Sequence, residues 1–242
     1  MRPRAMPGAS QHLAASRGFL ATAAAAVESF FLDSTAPDPA AESVRPIEIR
    51  PVVCVLGLAR GCGVTVVARA LAAELAVRDP DGAAVVCSDA RPAGIPLATQ
   101  AATRLARTLE DVPGAGPRAV GRLCLTNADP QRVTGTARYH APVVIDAGSE
   151  ALGGAPAAVA DRVVIVTTRD VEPALARVAS ECVARIGAQP VVVLNRAPHD
   201  QPGLFALPNS AVGARLALGG REARGELGRA VAELADLLEE EP

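Results

Sequence analysis

The sequence predicts an α/β protein built in three layers, with a mostly parallel sheet flanked by helices on both faces. From Pro51 onward, short apolar runs alternate with longer helical ones, the pattern of repeated strand–helix–strand units. The apolar half of the composition (50%) is nearly free of aromatic residues (2%), so the core must be built from Val, Leu, Ala and Ile. Those residues make strands buried on both faces, covered by alanine-rich helices.

In chain order, residues 1–50 read as a segment apart from the domain at 51–242. They hold a helical stretch from about Gln11 to Leu32 and a linker, Asp33 to Glu48, rich in Pro, Ala and acids. Gly18 to Val27 has the look of a secretory core, but Glu28 and the pair Phe30-Phe31 follow where small cleavage-site residues belong. The run is also too short to cross a bilayer. It reads as an amphipathic helix whose Phe19, Val27, Phe30 and Phe31 dock on the domain or on a partner.

Within the domain, Val52 to Leu56 is a short valine-rich run, and the glycines at 57, 61 and 63 turn it into a helix over Thr65–Val77. Strands are then expected at Ala83–Cys87, Val120–Leu125, Val143–Ile145, Val163–Thr167, Val191–Leu194 and Leu204–Ala206. Helices are expected at Leu97–Leu109, Ala155–Ala160, Val171–Ile186, Ala211–Leu218 and Arg221–Glu240.

The five cysteines (Cys54, Cys62, Cys87, Cys124 and Cys182) are odd in number and irregularly spaced, and three fall inside expected strands, which points to a reduced, cytoplasmic protein. His12, His140 and His199 have no partners at metal-ligand spacing. A net charge of −2 gives no global basic field for nucleic acid or anionic lipid. The arginines at 215, 221, 224 and 229 are interrupted by Glu222 and Glu226, and the last helix ends Glu239-Glu240-Glu241, which anionic lipid would repel. Neither a nucleic-acid nor a membrane signal is clear.

The turn after the first strand carries the chemistry. A phosphate-binding loop of the form GxxxxGK[ST] cradles phosphates on backbone N–H groups, reaches the β/γ-phosphates with its lysine and holds Mg²⁺ with its hydroxyl. In Gly57-Leu58-Ala59-Arg60-Gly61-Cys62-Gly63-Val64-Thr65, Gly63 and Thr65 keep the last glycine and the hydroxyl, but Val64 stands at the lysine position and Leu58 where the first glycine belongs. The chain contains no lysine at all, its 24 basic residues being arginine, so neither another loop nor a second copy restores the missing one.

Taken in order, these segments resemble the MinD/ParA branch of P-loop proteins (SIMIBI class), the deviant Walker A ATPases that place division sites, chromosomes, plasmids and pili. The family loop KGGVGKT is replaced here by Ala59 to Thr65, so its signature lysine is Ala59 and its P-loop lysine Val64. Val85 to Pro92 is similar to the second strand with its DxD-like turn: Asp89 keeps the first acid and Arg91 replaces the second. Ala141 to Gly148 looks like the switch II strand, with Asp146 as the Mg²⁺ partner, and Ala160 to Glu172 is similar to the "ADxVxxVTxPExxS" run. Val192 to Arg196 resembles the NR turn whose asparagine contacts adenine, and Leu207 to Val212 with Arg215 the "IPxDxxVxxA" segment.

The resemblance implies a P-loop NTPase-like fold over roughly Val52 to Leu238. It implies a nucleotide site at Arg60, Gly61, Cys62, Gly63, Val64, Thr65, Asp89, Asp146, Asn195 and Arg196, with Mg²⁺ on Thr65 and Asp146 only if Mg-nucleotide binds. The cofactor so implied is ATP or ADP with Mg²⁺, and no catalytic residue is assigned. The function expected is that of a degenerate member, a pseudo-ATPase scaffold in localisation or assembly, with a protein partner and a homodimer to be tested. Atypical Tad-pilus and septum-site proteins are the nearest analogy. The alternatives are an active ATP-dependent switch that uses arginine for lysine, and a ligase-like enzyme on the same fold.

Overall fold

The computed structural model describes residues 49–87, 104–149, 154–197 and 204–240. Within them eight strands form one sheet: β1 (Val52–Gly57), β2 (Ala83–Cys87), β3 (Arg118–Val120), β4 (Leu123–Thr126), β5 (Val143–Asp146), β6 (Arg162–Thr167), β7 (Gln189–Asn195) and β8 (Phe205–Leu207). Their spatial order is β3-β4-β2-β5-β1-β6-β7-β8, and every neighbouring pair is parallel except β3 and β4.

Helices α1 (Val64–Arg78), α6 (Ala211–Leu218) and α7 (Gly225–Glu239) cover one face through Leu71, Leu75, Ala217, Leu227 and Leu234. Helices α2 (Arg104–Glu110), α3 (Pro130–Ala137), α4 (Ala155–Ala158) and α5 (Pro173–Arg185) cover the other through Leu105, Val133, Ala157 and Val183. This is the expected three-layer α/β/α arrangement. β1, β2 and β5 are buried along their whole length, as strands sandwiched between two helical layers must be. Cys54, Cys87 and Cys124 take apolar positions in β1, β2 and β4.

Four expectations from the sequence need correcting. The run expected as one strand at Val120–Leu125 is the bend of a tight hairpin: Val120 pairs with Leu123, and Gly121 (φ 59°) with Arg122 makes the two-residue turn. The Arg122 guanidinium then fixes that hairpin by donating to the carbonyls of Ala76, Asp79 and Pro80 at the end of α1.

α3 has no counterpart in the expectation, because Thr134, Gly135 and Thr136 lower its propensity. Its start is nonetheless specified: Asp129 accepts from the Gln131 N–H at 3.2 Å and Pro130 takes the first turn. α5 begins at Pro173, not Val171, since proline is pre-set for that position. α7 begins at Gly225, not Arg221: the Arg221 N–H donates to Leu216 O and the Gly220 N–H to Ala217 O, so this stretch closes α6 instead of opening α7. Of the helix expected at Leu97–Leu109, residues 97–103 lie outside the described residues, as does the stretch Gln11 to Leu32.

Candidate functional site

β1 lies between β5 and β6, and the chain moves to β2 on one side and reaches β6 on the other, so the strand order reverses at β1. In open α/β sheets ligands bind at such a reversal, beyond the carboxyl ends of the strands. The loop Leu58 to Gly63 leaves β1 at that end. It is tied to both neighbours: the Gly57 N–H donates to Gly148 O at 2.8 Å and the Leu58 N–H to Val166 O at 3.0 Å.

Two glycines let the loop fold back on itself. A β-carbon on Gly57 would sit 2.5 Å from Cys62 Sγ and 2.6 Å from Val64 Cγ2, so only glycine fits beneath those side chains. Gly63 has φ 96°, and its carbonyl accepts the first helical bond of α1, from the Val67 N–H. Cys62 (2% exposed) and Val64 (7%) join Val53, Val55 and Val67 in the core under α1. The residue at the lysine position of a phosphate-binding loop is therefore an apolar core residue.

Outside the loop lies an open cavity of about 850 Å³, within the range that holds a nucleotide. The guanidiniums of Arg60 and Arg196, the hydroxyls of Thr65 and Ser149, and the backbones of Gly61, Gly63, Gly148 and Gly154 line it. Among the described lining residues none is acidic. The N-terminal end of α1 points positive into the same space, which makes it an anion site by charge and dipole together. A second cavity, of about 610 Å³, lies at the opposite end of the sheet beside Ile49, Pro51 and Gln189. Its charges neutralise one another, with Arg50 on Asp79 at 2.8 Å, Arg78 on Glu239 at 2.9 Å and Arg138 on Asp161 at 3.3 Å.

The remaining expected residues stand behind the cavity wall. Asp146 ends β5, 8% exposed, in register with Val55 of β1 and Cys87 of β2. Burial, with the Asp146 charge added, pushes the Cys54 thiol from 9.0 up to about 12. Asn195, 7% exposed, donates from Nδ2 to Cys62 O at 2.7 Å and accepts the Arg196 N–H on Oδ1 at 2.9 Å. Arg196 (φ 59°) is the one non-glycine with positive φ among the described residues, and it borders the cavity immediately after this latch.

Of the residues singled out in the sequence, Arg60, Gly61, Gly63, Val64, Thr65 and Arg196 meet at the cavity. Cys62, Asp146 and Asn195 support it from behind, while Asp89 and Arg91 lie outside the described residues. Ala147, Gly148, Ser149, Gly154 and Pro156 complete the lining and were not singled out, although the run Asp146-Ala147-Gly148 at the end of a buried strand marks the place.

This cavity at the head of a central strand, under a glycine-rich loop, defines a P-loop NTPase-like α/β protein. No family model matches the chain, and no curated protein matches it in sequence. Solved structures do match its fold. The MinD cell division protein of Aquifex aeolicus is 15% identical over 79% of this chain and 99% of its own, with a TM-score of 0.55. A ParA family ATPase from Chlorobium tepidum TLS is 13% identical over 77% and 98%, with a TM-score of 0.54. A Cyanothece McdA–ATP complex is 15% identical over 79% and 96%, with a TM-score of 0.53. The chain has the fold of these MinD, ParA and McdA ATPases.

Proposed function

We propose that the chain is a catalytically degenerate MinD/ParA-like protein, a pseudo-ATPase that acts through protein contacts as a localisation or assembly scaffold and holds nucleotide weakly at most. The observation behind this reading is Val64: the position of the phosphate-contacting lysine carries a side chain packed into the core, in a chain that has no lysine to substitute. Protein partnership is supported by analogy with the solved MinC:MinD cell division complex, which shares this fold. In this proposal residues 1–50 form a separate segment that contacts the partner, and the protein is cytoplasmic.

The residues at the cavity fit a phosphate chain in part. Backbone N–H groups of the loop, Arg60 and Arg196 would hold its oxygens, and Thr65 with Asp146 would hold Mg²⁺. A bound triphosphate would supply the transferable phosphoryl group. A cation seated inside the cradle is missing, and losing that charge-assisted contact costs roughly 1.5 to 3 kcal/mol, or about tenfold to a hundredfold in affinity. Phosphoryl transfer suffers more, because it depends on positioned cations at the transferring group. Arg60 sits on the exposed outer side of the loop, and its planar head does not reproduce a lysine inside it.

The resemblance implies a sandwich dimer closed by ATP and the signature lysine, which is Ala59 here. Light scattering coupled to gel filtration, with and without ATP and Mg²⁺, tests the proposal: the mass is expected to be the same in both. A dimer that appears only with ATP would favour the second reading, an active switch using arginine, for which the joint presence of Arg60 and Arg196 at the cavity speaks.

A further inference from the structure

We propose that the cavity at the loop recognises a polyphosphate without reading a base, so that its ligand class is the triphosphate or pyrophosphate group whatever that group carries. The inference rests on the reading of this loop as a residual phosphate site and goes beyond it in naming what is recognised.

Reading a base takes amide, carboxyl or backbone groups aimed at its edge, or a flat side chain against its face. At the cavity the described side chains able to make polar contacts are Arg60, Arg196, Thr65 and Ser149. Each suits phosphate oxygens, the guanidiniums by charge and forked donors, the hydroxyls as donors. The remaining described lining residues are small or aliphatic, with Gly61 and Pro156 as examples, so none stacks on a ring through an aromatic face.

The one carboxamide beside the cavity is already engaged. Asn195 uses Nδ2 on Cys62 O and Oδ1 on the Arg196 N–H, and it is 7% exposed. Turning it toward a base would leave the Cys62 carbonyl and the Arg196 N–H unpaired behind the wall, which offsets what a base contact would contribute. Arg196, directly after it, carries its charge to the cavity on a backbone of φ 59°. The pair therefore delivers a cation and withholds an amide.

The test is calorimetric titration of the full chain with ATP, GTP, CTP and inorganic tripolyphosphate at one Mg²⁺ concentration, followed by a phosphate-release assay. The four dissociation constants are expected within about threefold of one another. Arg60→Ala and Arg196→Gly, the latter suited to the positive φ, are expected to weaken all four by the same factor, roughly tenfold. Preference for ATP over GTP by roughly tenfold or more overturns the inference and leaves the pseudo-ATPase reading standing. The same holds if the arginine variants lose ATP alone, or if none of the four ligands binds. Phosphate release by the unmodified chain overturns the pseudo-ATPase reading instead.

Discussion

The side-chain amide of Asn195 donates to the backbone carbonyl of Cys62 at 2.7 Å, joining positions 133 apart in sequence. This bond ties the end of β7 to the loop after β1, so two segments of the cavity move as one unit. Asn195→Ala leaves a buried carbonyl without its donor and is expected to cost about 1–3 kcal/mol. Asn195→Asp adds an acceptor facing an acceptor and is expected to cost more. Urea denaturation of the three proteins ranks them, and an alanine variant as stable as the parent would remove the latch from the account.

Gly63 and Gly57 test the loop from within. A β-carbon on Gly63 would run into the Asn195 amide and require φ 96°, so Gly63→Ala combines strain with a broken latch, at about 2–3 kcal/mol. Gly57→Ala must displace Cys62 Sγ or Val64 Cγ2 from core positions and is expected to cost about 1–3 kcal/mol. Gly61→Ala meets no neighbouring atom and is expected to be the mildest of the three. Thermal denaturation checks the order.

Val64→Lys asks whether the missing cation alone weakens the site. The substitution removes an apolar contact from the core and is expected to lower stability by about 1–2 kcal/mol. Once turned to the cavity, the ammonium is expected to raise ATP affinity about tenfold to a hundredfold. Turnover is not expected to follow, since Ala59 still stands at the second lysine position. Calorimetry and phosphate release on this variant separate the two effects.

Arg69 is 1% exposed on α1, donates from Nη1 to Leu218 O at 2.8 Å and has no partner for Nε. A buried cation so incompletely paired stabilises little, so Arg69→Met, similar in volume, is expected to be neutral or stabilising by about 1–2 kcal/mol. Arg69→Ala leaves a cavity and is expected to cost about 2–4 kcal/mol. A methionine variant as unstable as the alanine one would show that the guanidinium itself holds α1 to α6.

The thiols of Cys54 and Cys124 are raised from 9.0 to about 12, each chiefly by burial, with Asp146 and Glu110 adding to the effect. Between those values the unfolded chain loses protons that the folded chain keeps, so stability is full below about pH 9 and falls as pH rises toward 12. Denaturation midpoints measured from pH 7.5 to 10.5 are expected to drop once pH exceeds about 9. In the folded protein at pH 8, Cys182 is expected to react with a thiol reagent well ahead of the other four, which are buried.

How far the sequence discloses the molecule depends on the range of the interaction. Periodicity and valine-rich runs locate β1, β2, β5 and β6, because strands buried on both faces write their burial into consecutive residues. The β3–β4 hairpin stays hidden because its turn, Gly121-Arg122, sits inside an apolar run that reads equally as one strand. α3 stays hidden because Thr and Gly dilute its pattern, although Asp129-Pro130 announces its start. At the site the lost lysine is legible from the loop alone. That Val64 has joined the core, and that Asn195 holds Cys62 and not a base, are facts of three-dimensional contact with no local trace.

The most direct test of the central claim is phosphate release from ATP with Mg²⁺ by the full chain, at a nucleotide concentration fixed by calorimetry, with Thr65→Ala measured alongside. The account predicts release no faster than in protein-free buffer, for both proteins. Turnover above that blank, abolished in Thr65→Ala, would contradict it and show that arginine has taken the place of lysine in this loop.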